Sequence, residues 1–213
     1  MIEPTRLVVI RHGETAWNAA GRMQGHQDIP LNALGLRQAA TLAGALAGEG
    51  LAAVVASDLQ RAWQTGAALA GPLGLPLQPE PGLRERCFGL LEGHTHAEIE
   101  ARWPVQARRW RERDPAFAPD GGESLTDFQA RCLAAVDRVA AAFAGQTIAL
   151  VCHGGVLDAL YRAATHVALD RPRSWPLGNA SINRLLHSRQ GLALVGWNDS
   201  AHLDDVAADD SAT

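Results

Sequence analysis

Three short apolar runs, at residues 7–10, 53–56 and 147–152, stand out because they are rich in β-branched and aliphatic residues. A continuous apolar run, unlike an alternating one, is typical of a strand that is covered on both faces. Each run ends abruptly at polar residues, which indicates that the strand stops there. The sequence therefore predicts three buried strands.

Between and after these runs, apolar residues recur at the spacing of amphipathic helices. The predicted helices span residues 32–48, 59–73, 95–103, 105–113, 124–143 and 156–164. Asn32 is the expected N-cap of the first helix, and Ser57 or Asp58 is the expected N-cap of the second. Two later runs, at 181–187 and 192–197, flank a Gln-Gly turn and predict a closing hairpin.

The alternation of strands and helices predicts a doubly wound, mostly parallel α/β sheet with helices on both faces. The helices over 95–143 form a helical insertion between Glu85 and His153. We expect residues 1–213 to form a single domain, because the length and the hydrophobic content of 47% suit one large core. Residues 203–213 are acidic and rich in small side chains, which predicts a flexible tail.

The basic residues narrow the chemistry, because all 19 are arginine and none is lysine. This composition excludes a P-loop lysine, a Schiff-base lysine and a lysine general base. Phosphate recognition must therefore come from arginines, histidines, helix N-termini or backbone N–H groups. The net charge of −4 argues against non-specific binding to nucleic acids.

The cysteines and the lengths of the apolar runs exclude further classes. The three cysteines are far apart and form no C-x-x-C pair, which argues against a disulfide framework and against a zinc cluster. No apolar run is long enough to span a membrane, and the N-terminus lacks the pattern of a signal peptide. We therefore expect a cytoplasmic protein that does not contact membranes. The sequence leaves its oligomeric state open, including a homo-oligomer.

Charged and histidine side chains follow the predicted strands at the end where parallel sheets bind ligands. Arg11 and His12 follow the first strand, and His153 follows the third. Arg61 lies in the first turn of the helix after the second strand. If these strands are neighbours, two histidines and two arginines converge on one crevice. Clustered cations repel one another unless an anion lies among them, so the pattern predicts an anion site.

The segment Arg11-His12-Gly13-Glu14-Thr15 resembles the signature of the histidine phosphatase superfamily, the phosphoglycerate-mutase-like enzymes. Further matching segments follow in the family's order over nearly the whole chain. They are Asn18, the stretch from Ser57 to Thr65 with Arg61, Leu83-Arg84-Glu85 with Phe88-Gly89 and Glu92-Gly93, and His153-Gly154-Gly155. Each short motif is weak alone, but their order and spacing together are a strong indication.

The resemblance implies a catalytic role for five residues. His12 takes the place of the nucleophile that forms a phosphohistidine. Glu85 takes the place of the residue that protonates the leaving oxygen and then deprotonates the attacking water. Arg11, Arg61 and His153 take the places of the donors that stabilise the phosphoryl oxygens.

The resemblance also implies four substrate-binding residues, namely Asn18, Gln24, Gly25 and Gly154. Gly154 would act through backbone N–H groups where a helix begins. No set of residues looks like a metal site, and no cofactor is expected. The implied partner is a small phosphomonoester substrate.

The residues taken alone permit simpler interpretations. Glu85 lies between Arg84 and Arg86, so it could form a solvated ion pair that contributes little to stability. Asn18 could be a turn residue or a helix cap. His153 could be a histidine whose hydrogen bonds are satisfied at the end of a strand.

The family contains phosphatases and phosphoglycerate mutases, and three features favour a phosphatase. The segment between Glu85 and His153 is short, whereas mutases typically have a longer insertion there. The loop over 24–31 and the segment Gly122-Glu123-Ser124 also resemble the phosphatase branch. Residues 103–113, with two tryptophans and several arginines, suit either a substrate lid or a helix that covers the edge of the core.

Three functional hypotheses follow. The first is a metal-independent phosphomonoester hydrolase that acts through a phosphohistidine. The second is a mutase that returns the phosphoryl group to its substrate. The third is a non-catalytic ligand-binding module on the same fold, which is disfavoured because every expected catalytic position holds the matching residue. The leaving group stays open among sugar phosphates, phosphoglycerates, α-ribazole phosphate and nucleotides.

Overall fold

Six strands form one mixed sheet in a computed structural model that describes residues 3–204 and 206. The strands are β1 (Thr5–Arg11), β2 (Leu51–Ala56), β3 (Leu77–Pro79), β4 (Thr147–Cys152), β5 (Ile182–Ser188) and β6 (Gly191–Asp199). The helices are α1 (Ala16–Ala19), α2 (Ala33–Leu46), α3 (Gln60–Leu73), α4 (His96–Arg102), α5 (Pro104–Arg111), α6 (Leu125–Ala142) and α7 (Gly154–Thr165). Short 3-10 turns occupy Pro81–Leu83, Gly89–Leu91 and Ala201–Leu203.

The strand order is β3-β2-β4-β1-β5-β6. The first four strands of this order run parallel, whereas β5 is antiparallel to β1 and β6 is antiparallel to β5. The predicted α/β class with a largely parallel sheet is therefore confirmed, and the predicted hairpin forms its antiparallel edge. The two central strands, β4 and β1, are buried along most of their length because helices cover both faces.

The two faces of the sheet carry separate apolar clusters. One face packs side chains such as Leu7 and Leu150 against α6 and α7. The other face packs side chains such as Ile10 and Val151 against α2 and α3. Alternate residues of β1 thus contribute to opposite clusters, as the two-residue repeat of a strand requires. The prediction of helices on both faces is confirmed.

The helical insertion consists of α4, α5 and α6. Thr95 begins α4 with a capping box, in which its side chain accepts the Glu98 N–H and the Glu98 carboxylate accepts the Thr95 N–H. The helix ends at Arg102 and Pro104 begins the next one. Ser124 caps α6 through a hydrogen bond from the Asp127 N–H of 3.0 Å.

The expected cap of α3 is wrong. The N-cap residue is Leu59, and neither Ser57 nor Asp58 caps the helix. The Gln60 N–H instead donates to Asp28 Oδ1 at 2.6 Å, and Asp28 lies in the loop before α2. A residue distant in sequence therefore satisfies this helix end, which local pattern alone does not reveal.

The predicted acidic tail lies mostly outside the described residues. Of residues 203–213, the structure describes only Leu203, Asp204 and Val206, and Leu203 ends the last 3-10 turn. Among the described residues, none of the helices has the length and apolar character needed to cross a membrane.

Candidate active site

The carboxyl ends of β1 and β4 lie side by side, with Arg11 opposite Cys152 in the register. The His12 N–H continues this ladder by donating to Cys152 O at 3.0 Å. The next residues, His12 and His153, therefore leave adjacent strands together. Their ring centroids are 5.1 Å apart, and the rings are tilted by 58°.

The hydrogen bond of His12 decides which ring nitrogen is available for reaction. Nδ1 lies 2.7 Å from Gly13 O. A carbonyl oxygen only accepts, so Nδ1 carries the proton and Nε2 carries the lone pair in the neutral ring. Within residues 3–204 and 206, no hydrogen bond engages Nε2. The neutral imidazole thus has a free, unprotonated nitrogen on the cavity side.

The electrostatic environment keeps both histidines neutral. Burial, followed by the nearby charges of Arg11 and Arg61, lowers the pKa of His12 well below its ordinary value. Burial, followed by the charge of Arg61, likewise lowers the pKa of His153. The nearby cations and the loss of solvent thus both lower the pKa values of the two histidines. A neutral His12 is the form that can act as a nucleophile.

His153 is anchored by a residue that sequence reasoning did not single out for this role. Its Nε2 lies 2.8 Å from Ser57 Oγ, which follows the neighbouring strand β2. Its Nδ1 is buried and has no hydrogen-bond partner among the described residues. His153 is also the N-cap residue of α7, and its side chain does not cap that helix. The first backbone N–H groups of α7 are therefore left for other partners.

Arg61 is almost completely buried at the start of α3. Its terminal nitrogens donate to Gln27 O and Gly25 O, each at 2.8 Å. Burial lowers its pKa to about 10, so it stays charged at neutral pH. Gly25 has a φ of +52°, and a Cβ there would lie 2.0 Å from Glu92 Oε1. This glycine therefore allows the loop to approach Glu92 while its carbonyl holds Arg61.

Arg11 extends from the end of β1 into the cavity wall. One terminal nitrogen donates to Leu177 O, and its buried Nε has no partner among the described residues. Burial lowers its pKa from the ordinary value. The Arg11 guanidinium also lies against Gly154, where a Cβ would be 3.4 Å from Arg11 Nε.

Glu85 points toward the same crevice from the irregular segment before α4. Its Oε2 accepts the Gly155 N–H at 3.0 Å, and its Oε1 accepts the Arg86 N–H at 2.8 Å. A Cβ at residue 155 would lie 2.1 Å from Glu85 Oε1. The second glycine after His153 therefore makes room for this carboxylate. Within the described residues, the side chain of Glu85 forms no ion pair with Arg84 or Arg86.

Asn18 and Gln24 present amide groups to the cavity. The Asn18 oxygen accepts the Thr15 N–H at 3.1 Å, so Asn18 is the third residue of a capping box in which Thr15 is the N-cap of α1. The Gln24 oxygen accepts the Thr15 hydroxyl at 3.0 Å. With both oxygens engaged as acceptors, each amide retains an NH2 group for an oxygen-rich ligand.

These residues surround a cavity of about 600 Å³. Seven of the nine predicted site residues line it, namely Arg11, His12, Asn18, Gln24, Gly25, Glu85 and Gly154. Arg61 and His153 do not line it and lie behind its wall. The charge of Arg61 still lowers the pKa of His12, and the ring of His153 lies against the ring of His12.

Further residues lie at or beside the cavity wall, and the sequence indicated only those of the 103–113 segment. Asn179 donates to the His12 carbonyl at 3.0 Å and to the Asn18 oxygen at 3.3 Å, and so it joins the two residues. Trp110, at the end of α5, and Arg113, two residues after that helix, line the cavity together with Trp175. The segment over 103–113 therefore borders the site at its carboxyl end. Asn179 follows the last helix in a loop without a motif, so no local signal identifies it.

Metal ligands are not grouped anywhere in the part of the chain that the structure describes. Among those residues, no three His, Cys, Asp or Glu side chains are close enough together to hold an ion. The three cysteines are free thiols, and two of them are buried.

Comparison with known proteins places this site in context. A sequence profile of the histidine phosphatase superfamily (branch 1) matches residues 7–200. A glucosyl-3-phosphoglycerate phosphatase of Mycolicibacterium vanbaalenii is 39% identical over 196 residues, which cover 86% of this chain and 85% of the relative. A probable phosphoglycerate mutase, GpmB, of Yersinia pestis is 34% identical over 215 residues, which cover 96% and 98%.

Solved structures agree with the sequence comparison. YhfR of Bacillus stearothermophilus has a TM-score of 0.88 and 33% identity, covering 94% of this chain and 100% of that chain. A mycobacterial glucosyl-3-phosphoglycerate phosphatase described in complex with VO3 has a TM-score of 0.81 and 37% identity, covering 92% and 99%. Because the profile and these relatives extend over most of its length, the chain belongs to the histidine phosphatase superfamily, branch 1.

Proposed function

We propose that this protein is a metal-independent phosphomonoester hydrolase that acts on a small phosphorylated metabolite through a phosphohistidine. The observation that carries the proposal is the state of His12. Its Nδ1 is bonded to Gly13 O, and its free Nε2 faces a cavity that Glu85 also lines. A neutral nucleophile and a carboxyl group at one cavity are the two parts that a double-displacement hydrolysis requires.

The first step transfers the phosphoryl group to the protein. His12 Nε2 attacks phosphorus in line, a bond between nitrogen and phosphorus forms, and the bond to the leaving oxygen breaks. Glu85 transfers a proton to that oxygen, and the substrate leaves as an alcohol. The hydrogen bond from Nδ1 to Gly13 O stabilises the positive charge that develops on the ring.

The second step releases phosphate. A water molecule gives a proton to the Glu85 carboxylate and attacks phosphorus, and the bond between phosphorus and His12 breaks. The products are inorganic phosphate, neutral His12 and a protonated Glu85 that is ready for the next substrate. One carboxyl group thus serves as acid and then as base.

Three features of the cavity suit a phosphoryl group. Arg11, which lines the cavity, supplies a positive charge. At the N-terminus of α7, where the His153 side chain makes no cap, the Gly154 N–H and the positive end of the helix dipole can act on the ligand, while the Gly155 N–H is engaged by Glu85. The NH2 groups of Asn18 and Gln24 can donate to the same oxygens. Arg61 contributes its charge from behind the wall.

A mutase is the second candidate, because the names of the relatives do not agree on one activity. One relative is named as a phosphatase and another as a probable phosphoglycerate mutase. A mutase must keep water from its phosphohistidine while the substrate turns over. The short segment between Glu85 and His153 leaves few residues for such a closure, and this supports hydrolysis.

The experiment compares the two activities in one preparation. We expect release of inorganic phosphate from p-nitrophenyl phosphate and from a panel of small phosphomonoesters. We expect negligible interconversion of 2- and 3-phosphoglycerate, even when 2,3-bisphosphoglycerate is supplied as primer. The His12→Ala variant is the control for contaminating enzymes. Isomerisation that exceeds phosphate release by orders of magnitude would replace the hydrolase with the mutase.

A further inference from the structure

Glu85 lies in a stretch of chain without regular secondary structure, between the 3-10 turns Pro81–Leu83 and Gly89–Leu91. Backbone groups in such a stretch cannot pair with a neighbouring strand, so side chains or water must satisfy them. The position of the Glu85 carboxylate therefore depends on what holds this backbone in place.

Arg131, on the long helix α6, holds the amino-terminal side of this stretch. Its Nη1 donates to Gly82 O at 2.8 Å and to Arg84 O at 3.1 Å. Its Nη2 donates to Glu85 O at 3.2 Å. One planar guanidinium thus binds three carbonyls, including that of the proposed acid itself. A lysine at this position would lack this fixed arrangement of donors, because its ammonium group is carried on a flexible chain.

Glu123 holds Arg131 and the other side of the stretch. Its two oxygens accept Arg131 Nε and Nη2, each at 2.8 Å, in a bidentate ion pair. One of these oxygens also accepts the Cys87 N–H at 2.9 Å, and the Glu123 carbonyl accepts Arg86 Nε at 2.9 Å. The Glu123–Arg131 pair therefore fixes the chain on both sides of Glu85.

The pair stays ionised around neutral pH although it is half-buried. Burial opposes the charge of Glu123, but the hydrogen bonds from Arg131 and from the Cys87 N–H outweigh it and lower the carboxyl pKa. His26 adds one further contact, because its Nε2 donates to Glu85 O at 2.9 Å. The carbonyl of Glu85 is thus held from two directions while its carboxylate reaches the cavity.

We propose that Arg131, held by Glu123, is a positioning residue that keeps the Glu85 carboxyl group where it exchanges a proton with the leaving group. This inference rests on the proposed function. Arg131 does not touch the cavity and takes no part in bond making or breaking. Arg131 contributes by fixing the position of the Glu85 carboxyl group. Its loss therefore weakens acid catalysis and leaves the nucleophile His12 intact.

The test measures how each variant depends on the leaving group. Arg131→Met keeps the length of the side chain and removes all its donors, and Glu85→Gln removes the acid itself. The quantity measured is kcat/KM. One substrate is phenyl phosphate, whose leaving group needs a proton, and the other is p-nitrophenyl phosphate, whose leaving group departs with little acid catalysis. We expect Arg131→Met to lose about 10- to 100-fold with phenyl phosphate and less than about 3-fold with p-nitrophenyl phosphate.

Arg138→Met is the matched control. Arg138 lies on the same helix and forms an ion pair with Glu80 at 3.1 Å, but its side chain is 60% exposed and donates to none of the three carbonyls that Arg131 holds. We expect its kcat/KM to equal that of the wild type with both esters. Glu123→Gln repeats the test by loosening Arg131, and it carries the test if Arg131→Met does not fold.

The double variant Arg131→Met/Glu85→Gln separates positioning from general damage. If Arg131 acts through Glu85, the double variant loses no more than Glu85→Gln alone. Equal loss on both esters, or losses that multiply in the double variant, would overturn the positioning role. If Glu85→Gln itself shows no leaving-group dependence, the acid role in the proposed function fails and the positioning role fails with it. Leaving-group dependence in Glu85→Gln but not in Arg131→Met would overturn the positioning role alone.

Discussion

His12 and His153 stand ring to ring, with centroids 5.1 Å apart, at the ends of the two central strands. Both rings are almost completely buried, and Arg11 and Arg61 lie near enough to lower the pKa of each. Two imidazoles can share this space because neither is protonated. The same arrangement that leaves His12 nucleophilic makes the fold sensitive to acid.

We first predict how stability responds to pH. The folded protein keeps His12 and His153 neutral, whereas the unfolded chain protonates them below about pH 6.5. The free energy of unfolding therefore falls as pH drops below that value, because the unfolded state binds more protons. Each histidine contributes a slope of at most about 1.4 kcal/mol per pH unit until its folded pKa is reached. Urea unfolding between pH 7 and 5 measures this slope.

The variant His12→Gln checks the origin of that slope. Glutamine can still donate to Gly13 O but does not titrate. The slope of the unfolding free energy against pH should therefore lose the contribution of one histidine. His187→Gln is the control, because His187 lies at the other end of β5, where it pairs with Asp137 at 2.8 Å. An unchanged slope in His12→Gln would show that His12 does not resist protonation.

The nucleophile is tested by trapping the intermediate. We expect rapid quenching of the wild type during turnover to yield acid-labile, base-stable phosphate on His12. His12→Ala should lose more than about 10⁴-fold in kcat/KM, because the covalent step has no substitute. His187→Ala should retain full activity and the trapped phosphate. Wild-type turnover by His12→Ala, or phosphate bound elsewhere, would disprove the phosphohistidine.

Chelation and vanadate test the cationic cavity. Because Arg11, the α7 N-terminus and the neutral His12 supply the proposed phosphate contacts, activity should survive prolonged dialysis against EDTA. Vanadate adopts five-coordinate geometry and should inhibit competitively, more tightly than inorganic phosphate by roughly 10²-fold or more. Activity that disappears with EDTA and returns with Mg²⁺ or Mn²⁺ would show that a metal takes part.

Gly155→Ala tests the contact that makes room for Glu85. A Cβ there would lie 2.1 Å from Glu85 Oε1 and 3.2 Å from Phe128 Cε1, so the flexible carboxylate must move and the Phe128 ring must shift by a few tenths of an ångström. We therefore expect activity on phenyl phosphate to fall by about 10²-fold, while stability changes by less than about 1 kcal/mol.

Gly44→Ala is the control for this substitution, since Gly44 lies within α2 and an added Cβ meets nothing within 4 Å. It should raise stability by about 0.5–1 kcal/mol and leave kcat/KM unchanged. Full activity in Gly155→Ala, measured beside this control, would mean that the carboxylate need not lie against α7.

Local patterns predicted much of the fold correctly. The continuous apolar runs identified β1, β2 and β4, and the predicted cap Asn32 is the N-cap of α2. These features could be predicted because the interactions that stabilise them join residues only a few positions apart in the chain. The motif at Arg11 and His12 belongs to the same class, since the end of a buried strand is a local property.

Partners that are distant in the chain were decided only by the tertiary structure. Asp28 rather than Ser57 or Asp58 satisfies the start of α3, and Arg131 holds the backbone of Glu85 from a different helix. The location of Arg61 behind the cavity wall likewise depends on loop carbonyls that the sheet order brings to it. Sequence motifs name the residues of a site, but packing decides which of them reach the cavity. The reason is that a buried polar group takes whichever partner the completed fold places within hydrogen-bond distance.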